Sequence, residues 1–143
     1  MPNVTASPFV LVKPKISLGT AGTVVEFQCG ANQVEAAPEQ DENTVETFCG
    51  VFTTYKPENW TITVTALQSY GTNGLWTNVR PLCNTVQPFT LLPDAVAAIS
   101  VSNPQMTGTA YVKGFPFLSA AVGEASEFDL ELAVQGIPTF AIV

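Results

Sequence analysis

Three carboxylates near the end of the chain alternate with apolar residues. The carboxylates are Glu127, Asp129 and Glu131, and the residues at 128, 130 and 132 are Phe, Leu and Leu. Because successive side chains of a strand point to opposite faces, the carboxylates share one face of a predicted strand. Four interpretations are open: glycosidase-like acid–base catalysis, an oxygen site for calcium, a plain solvated face, or a negative surface that repels a polyanion. No aromatic platform for a sugar stands nearby, which argues against catalysis.

Other residues that commonly carry chemistry are missing from the sequence or isolated in it. The chain has no histidine, which excludes Ser-His and Cys-His nucleophile systems. Cys29, Cys49 and Cys83 are too widely spaced for a zinc or redox motif. We interpret them as small buried hydrophobic residues, and a disulfide between two of them stays open. Residues 71–74 lack the lysine of a phosphate-binding loop. We therefore expect no enzyme, no metal site and no cofactor.

Composition narrows the class of protein further. The 143 residues carry 5 basic and 12 acidic side chains, for a net charge of −7. A chain this poor in Lys and Arg does not neutralise phosphates, so we expect no specific binding of DNA or RNA. Hydrophobic residues make up 46% of the chain, yet no apolar run is long enough to span a membrane. We also expect no signal peptide. A low share of charged residues, 12%, predicts that assembly covers much of the surface.

The pattern of short apolar runs predicts one all-β domain, residues 1–143, with a single short helix. Eleven prolines and ten glycines separate runs rich in Val, Thr, Phe and Ile. The architecture we expect is a two-sheet sandwich or a rolled β-barrel. Pro88 makes its strand edge-like. Predicted strands cover residues 9–12, 23–29, 44–56, 60–68, 85–92, 95–102, 107–113 and 127–134.

The predicted helix begins near residue 74 and flanks the strands. Leu75, Trp76 and Val79 form its apolar stripe and are expected to pack on the strands. Thr72 or Asn73 is expected to cap it, and Pro81 limits it to about two turns.

Two segments are predicted to lie outside regular structure. Residues 1–8 form a flexible arm. Residues 35–46 contain five carboxylates, no basic residue and Pro38, which predicts an exposed acidic loop. That loop is either simply solvated or ordered against a neighbouring subunit. The apolar tail, residues 137–143, is expected to pack on the domain or on a neighbour.

The order of these features resembles the major tail tube protein of long-tailed bacteriophages with non-contractile tails. The similarity covers roughly residues 9–140. The features that carry it are, in order, Lys-Pro-Lys at 13–15, the 23–29 strand, the acidic loop, Thr-Phe-Cys-Gly at 47–50, the 60–68 strand, Gly-Leu-Trp at 74–76, the 89–93 run ending in Pro, Ser-Asn-Pro at 102–104, and Gln-Gly-Ile-Pro at 135–138.

The resemblance implies a structural protein of the virion, present in the phage tail and assembled in the host cytoplasm. Such proteins form hexameric rings that stack into a tube, a conduit for DNA during ejection. The implied partners are further copies of the chain, the tape-measure protein and the tail initiator and terminator proteins. DNA passes through without specific binding, and no membrane or cofactor is involved.

Within that family architecture, two groups of acidic residues receive a role. Glu127, Asp129 and Glu131 are expected to face the lumen, although an outer-sheet placement stays open. Glu35, Glu39, Asp41 and Glu42 are expected in an inter-subunit loop. The alternative function is a capsid decoration protein or an immunoglobulin-like binding module, which shares the β-strand texture without requiring an acidic strand.

Overall fold

The computed structural model describes residues 9–20, 24–26 and 28–142. Strands dominate this part of the chain, which confirms the all-β prediction. Short 3₁₀ turns cover Gln28–Gly30 and Arg80–Leu82, and the α-helix is α1 (Leu75–Val79). The strands are β1 (Lys15–Leu18), β2 (Val25–Glu26), β3 (Ala31–Glu39), β4 (Glu42–Thr47), β5 (Gly50–Tyr55), β6 (Asn59–Leu67), β7 (Val86–Leu92), β8 (Gln105–Val112), β9 (Glu127–Val134) and β10 (Thr139–Ala141).

One antiparallel sheet contains all the strands except β4 and β5. Its order is β2-β1-β7-β8-β9-β6-β3, and β10 also pairs with β8, beyond the end of β9. The two ends of the sheet approach each other, because Ile16 of β1, which neighbours the edge strand β2, and Val34 of the other edge strand, β3, line the same hollow. The sheet is therefore rolled, as one of the two predicted architectures requires. It is not a pair of facing sheets.

The core fills the inside of this rolled sheet. Alternate residues of β6 and β9 point inward, and Ile62, Val64, Leu130 and Leu132 are almost completely buried. Their partners on the other strands complete one continuous cluster. Burial of each such side chain contributes about 1.5–3 kcal/mol. The period-2 pattern at 60–68 and 127–134 thus predicted these strands and their faces correctly.

Helix α1 closes one side of the cluster. Leu75 and Val79 are buried in the core, whereas Trp76 is half-buried against the rings of Phe115 and Phe117. The predicted cap is wrong: Ser69 Oγ accepts the Leu75 N–H at 2.8 Å. Neither Thr72 nor Asn73 caps the helix, because the chain loops back so that Ser69 reaches its first turn.

Three predicted strands differ in the structure. Residues 9–12 form no strand and lie at the surface. The 23–29 strand is reduced to β2 and a 3₁₀ turn, and residues 23 and 27 lie outside the described residues. Residues 95–102 form a loop, because the Asn103 side chain donates to the carbonyls of Asp94, Ala97 and Ala98. Such local bonds compete with strand pairing.

Pro88 is not on an edge strand, since β7 lies between β1 and β8. The Gly19 N–H donates to the Pro88 carbonyl at 2.8 Å, just beyond the last paired residue of β1, Leu18. A strand residue's N and C=O point to the same side, so the proline nitrogen faces the place where β1 ends. The sheet therefore accommodates a proline in an inner strand.

The prediction of an acidic loop at residues 35–46 is wrong, because most of these residues belong to strands. Residues 35–39 belong to β3, which pairs with β6 from Ala31↔Ala66 to Glu39↔Asn59. Residues 42–46 belong to β4, and residues 40 and 41 connect the two strands. All five carboxylates are exposed, four of them on these strands and Asp41 in the connection, so their charge does not oppose strand formation.

The predictions for the chain ends and the cysteines are met in part. The arm at residues 1–8 lies outside the described residues, as does Val143. The tail forms β10 on β8, and the Phe140 ring lies 5.5 Å from that of Trp60. Cys83 is buried as expected, but Cys29 and Cys49 are exposed, and all three are free thiols.

Candidate functional site: an acidic face and a projecting hairpin

The outer surface of β3, β6 and β9 is acidic. Glu127, Asp129 and Glu131 point outward from β9, while the residues between them are buried. Across β6, the register places Glu35 on β3 in the same row as Thr63 and Glu131. Glu39 lies on the same side of β3 and lines a hollow of about 350 Å³ with Glu35 and Glu131. We call these five carboxylates and the threonines between them the acidic face.

Neutral donors and one ammonium hold the carboxylates of β9. Thr65 Oγ1 donates to Asp129 Oδ1 at 2.8 Å, and Asn32 Nδ2 donates to Glu127 Oε1 at 2.8 Å. Lys113 Nζ lies 3.0 Å from Glu131 Oε2, and both side chains are about half exposed. An exposed ion pair of this kind contributes at most about 1 kcal/mol. The face therefore remains strongly negative.

The carboxylates of the acidic face are spread over the strands and are not gathered around one point. Glu35 and Glu131 lie on strands two spacings apart, which separates their backbones by about 10 Å. Across the described residues, no three His, Cys, Asp or Glu side chains are grouped so that they could hold a metal ion. The acidic face is instead an extended surface of negative charge. Fields of this kind repel polyanions.

Strands β4 and β5 form a hairpin that stands apart from the sheet. We call residues 42–55 the hairpin. Every residue of both strands is exposed, and the two strands form a sheet of their own. At its base the Lys56 N–H donates to the Asp41 carbonyl at 2.8 Å. A two-stranded hairpin is marginally stable alone in water, so this element gains from a partner.

The tip of the hairpin is a two-residue turn. Thr47 pairs with Gly50, and Phe48 and Cys49 connect them. Thr47 Oγ1 accepts the Cys49 N–H at 3.2 Å, and Gly50 has φ +138°, a conformation that favours glycine. The Phe48 side chain is fully exposed. The turn thus presents an aromatic ring and a free thiol at the point farthest from the sheet.

The structure divides the predicted acidic residues into two groups. Glu35 and Glu39 join the acidic face, whereas Asp41 and Glu42 stand at the base of the hairpin. Sequence reasoning missed Phe48 and Phe52 as surface residues. The strand-like run at 44–56 with its break at Gly50 is compatible with a hairpin. It does not indicate that the hairpin stands apart from the main sheet and exposes both phenylalanines.

No protein-family model matches the chain, and no curated protein matches it in sequence. Among solved structures, the chain is similar to a chain of the structure described as the virion of a native gene transfer agent particle. The TM-score is 0.58 at 12% sequence identity, over 88% of this chain and 95% of that chain. This likeness shows a shared fold that extends over nearly the whole of both chains. Among the described residues, no helix has the length and apolarity that a bilayer crossing requires.

Proposed function

We propose that this chain is a structural, non-catalytic protein of a virion, and that its copies assemble into stacked hexameric rings that form a tail tube. The observation that carries the proposal is the fold shared, over 88% of the chain, with a component of a virion particle. The order of sequence features that resembles phage tail tube proteins supports the same role. The proposed location is the phage tail, after assembly in the host cytoplasm.

The acidic face suits the wall of a conduit for DNA. Duplex DNA carries about one negative charge per 1.7 Å of its axis, and a basic wall would hold it through many phosphate contacts. A wall with Glu127, Asp129 and Glu131 repels the duplex and lets it slide. The proposal therefore places the acidic face toward the lumen, with DNA passing through without specific binding.

The free edges of the rolled sheet suit ring formation. Within the described part of the chain, β3 pairs only with β6, so its other side offers backbone N–H and C=O groups. Exposed edges of this kind are templates for a strand of another chain. Pairing at this edge would continue the sheet, and with it the acidic face, from one subunit to the next around a ring.

The proposal also assigns partners beyond the ring. The hairpin, with Asp41 and Glu42 at its base, is the proposed inter-subunit element. The tape-measure protein would occupy the lumen before DNA does, and initiator and terminator proteins would cap the two ends of the tube.

Electron microscopy of the purified protein tests this function. Negatively stained samples at high concentration, with and without co-expressed phage tail components, should contain hollow tubes with a regular ring repeat. Monomers under every condition would instead favour a capsid decoration protein or another binding module, for which the exposed hairpin would be the docking element.

A further inference from the structure

Residues 9–12 form an apolar run that belongs to no strand. They read Phe-Val-Leu-Val, a composition typical of strands, yet their side chains are 42% to 76% exposed. The chain is held next to this run where the Lys13 carbonyl accepts the Ala95 N–H at 2.8 Å. Pro14 then separates the run from β1. We call residues 9–12 the strap.

The strap lies beside the free edge of β3. Within the described part of the chain, β3 pairs only with β6, and no main-chain hydrogen bond joins the strap to β3. An apolar hollow of about 370 Å³ lies between them instead. Its lining residues on these two sides are Phe9 and Leu11 of the strap and Val34 and Ala36 of β3. A segment of strand-like composition thus faces a strand edge that lacks a partner.

The direction of the strap suits pairing with β3. A second hollow, of about 120 Å³, is lined by Ile16 and by Ala31, and Leu11 and Val34 line both hollows. Residue numbers therefore rise from the strap toward Ile16 while they fall along β3 toward Ala31. The two segments run antiparallel, as all the paired strands of this sheet do.

The side chains of the strap are already divided between two surroundings. Phe9 and Leu11 line the hollow shared with β3, whereas Val10 and Val12 line a hollow of about 340 Å³ beside residues 93–96. Phe9, at the end of the strap, borders both hollows. Residues two positions apart share a face in a strand. Pairing with β3 would therefore bring Phe9 and Leu11 onto its partly buried inward side.

We propose that in the free subunit the strap closes on the edge of β3 as a short antiparallel strand, and that it is displaced when this edge pairs with a second copy. Closure satisfies backbone N–H and C=O groups of β3 and removes exposed apolar side chains from water. It lowers the apparent affinity between copies in proportion to the fraction of subunits whose edge is open. The displacement rests on the proposed function, in which this edge carries the ring contact; the closure does not.

A disulfide tests where the strap lies. Leu11→Cys is combined with Val34→Cys in a background of Cys29→Ser and Cys49→Ser, which removes the two exposed native thiols. Mild oxidation should join the two new thiols within one chain, because opposed residues of paired strands lie within disulfide reach. The control pairs Val34→Cys with Val10→Cys, which lies outside the shared hollow and should cross-link about tenfold more slowly. Mass spectrometry of unreduced digests measures both rates.

Hydrogen exchange followed by NMR tests closure in the monomer. Leu11→Ser removes an apolar contact of the strap at an exposed position, so the fold should be kept. The amides of β3 that point away from β6 should exchange about tenfold faster in this variant than in wild type. Val122→Ser, a change at a fully exposed valine far from the strap in sequence, is the matched control and should leave these rates unchanged.

Sedimentation velocity tests the displacement. The oxidised Leu11→Cys, Val34→Cys protein should stay monomeric at concentrations at which the same protein assembles after reduction. Leu11→Ser should assemble at a concentration about threefold lower than wild type, because its edge is open more often. A strap that served instead as a contact between copies would give the opposite result, weaker assembly of Leu11→Ser, and this would overturn the proposal.

The outcomes separate the strap from the tube. No disulfide in the Leu11→Cys, Val34→Cys protein, or equal exchange in Leu11→Ser and wild type, would overturn the closure and leave the tube proposal standing. Normal assembly of the oxidised protein would overturn the displacement alone. A disulfide and faster exchange, in a protein whose wild type and Leu11→Ser variant never form tubes, would support the closure and overturn the tube.

Discussion

Asp129 lies near the middle of the acidic face, where its carboxylate accepts a hydrogen bond from Thr65 and stays exposed. The carboxylate does not stabilise the core; it adds one negative charge to a field built from five carboxylates on two strands. Under the proposed tail-tube function, the effect of such a residue is therefore expected in the passage of DNA and not in folding.

An Asp129→Lys substitution should separate these two effects. Exposed substitutions usually change stability by no more than about 0.5 kcal/mol, so folding and tube formation should persist. DNA ejection should fall sharply, because every subunit would offer a cation to the passing phosphates. Infectivity and release of DNA from assembled particles measure this. Glu124→Lys, which reverses an exposed carboxylate in the turn before β9, is the control. Equal ejection by both variants would contradict the lumen assignment.

For single residues, the sequence predicted which side chains of β9 and β6 point outward. It did not predict that the carboxylates of β3 lie on the same face as Asp129. Alternation of charged and apolar residues fixes which side chains point outward. It does not reveal that Glu35, more than ninety positions earlier, lies in the same row as Glu131. That juxtaposition depends on pairing of β3 with β6 and of β6 with β9, which is a non-local property.

Helix α1 requires a glycine, Gly74, at the residue directly before its first turn. A Cβ built on Gly74 would lie 2.4 Å from the Tyr70 carbonyl carbon, a backbone atom that cannot swing aside. Gly114, by contrast, has open space around the corresponding position. The helix is only five residues long, so the loop before it has little freedom to adjust.

A Gly74→Ala substitution should therefore destabilise the protein by about 1–3 kcal/mol, because the helix must shift away from Tyr70. Equilibrium unfolding in urea measures the change. The matched Gly114→Ala variant should be neutral or slightly stabilising. If both variants unfold at the same urea concentration, the close approach at Gly74 does not exist.

For whole strands and helices, prediction succeeded where the sequence pattern favoured one structure. It failed where composition favoured one structure and hydrogen bonding or strand pairing favoured another. The alternating residues of β6 and β9 and the bounded apolar stripe of α1 leave one interpretation. Residues 95–102 have strand-like composition, but their backbone is held by two side chains instead: Asn103 donates to the carbonyls of Ala97 and Ala98, and Asp94 accepts the N–H groups of Val96 and Ala97. Residues 35–46 have loop-like composition, yet pairing with β6 orders residues 35–39 as a strand and pairing within the hairpin orders residues 42–46 as another.

At the scale of the whole molecule, the chain consists of a rolled sheet with its own core and a hairpin without one. Removing the hairpin should leave the sheet intact. Replacing residues 43–54 by Asn-Gly joins the opposed residues Glu42 and Tyr55 through a turn that suits two-residue hairpins. Tm should change by less than about 3 °C, equivalent to roughly 1 kcal/mol for a domain of this size.

Assembly of the shortened protein should be lost while its fold is kept. Scanning calorimetry and sedimentation velocity on the same sample measure the two properties. A large fall in Tm would mean that the hairpin supports the sheet, and unchanged assembly would mean that the hairpin is not a subunit contact.

Copies of this chain are proposed to form a tube with the acidic face toward the bore, and helical reconstruction of assembled particles by cryo-electron microscopy is the decisive experiment. We expect hexameric rings in which Glu127, Asp129 and Glu131 project into an open lumen. Tubes with these carboxylates on the outer surface, or a protein that forms no tubes under any condition, would contradict it.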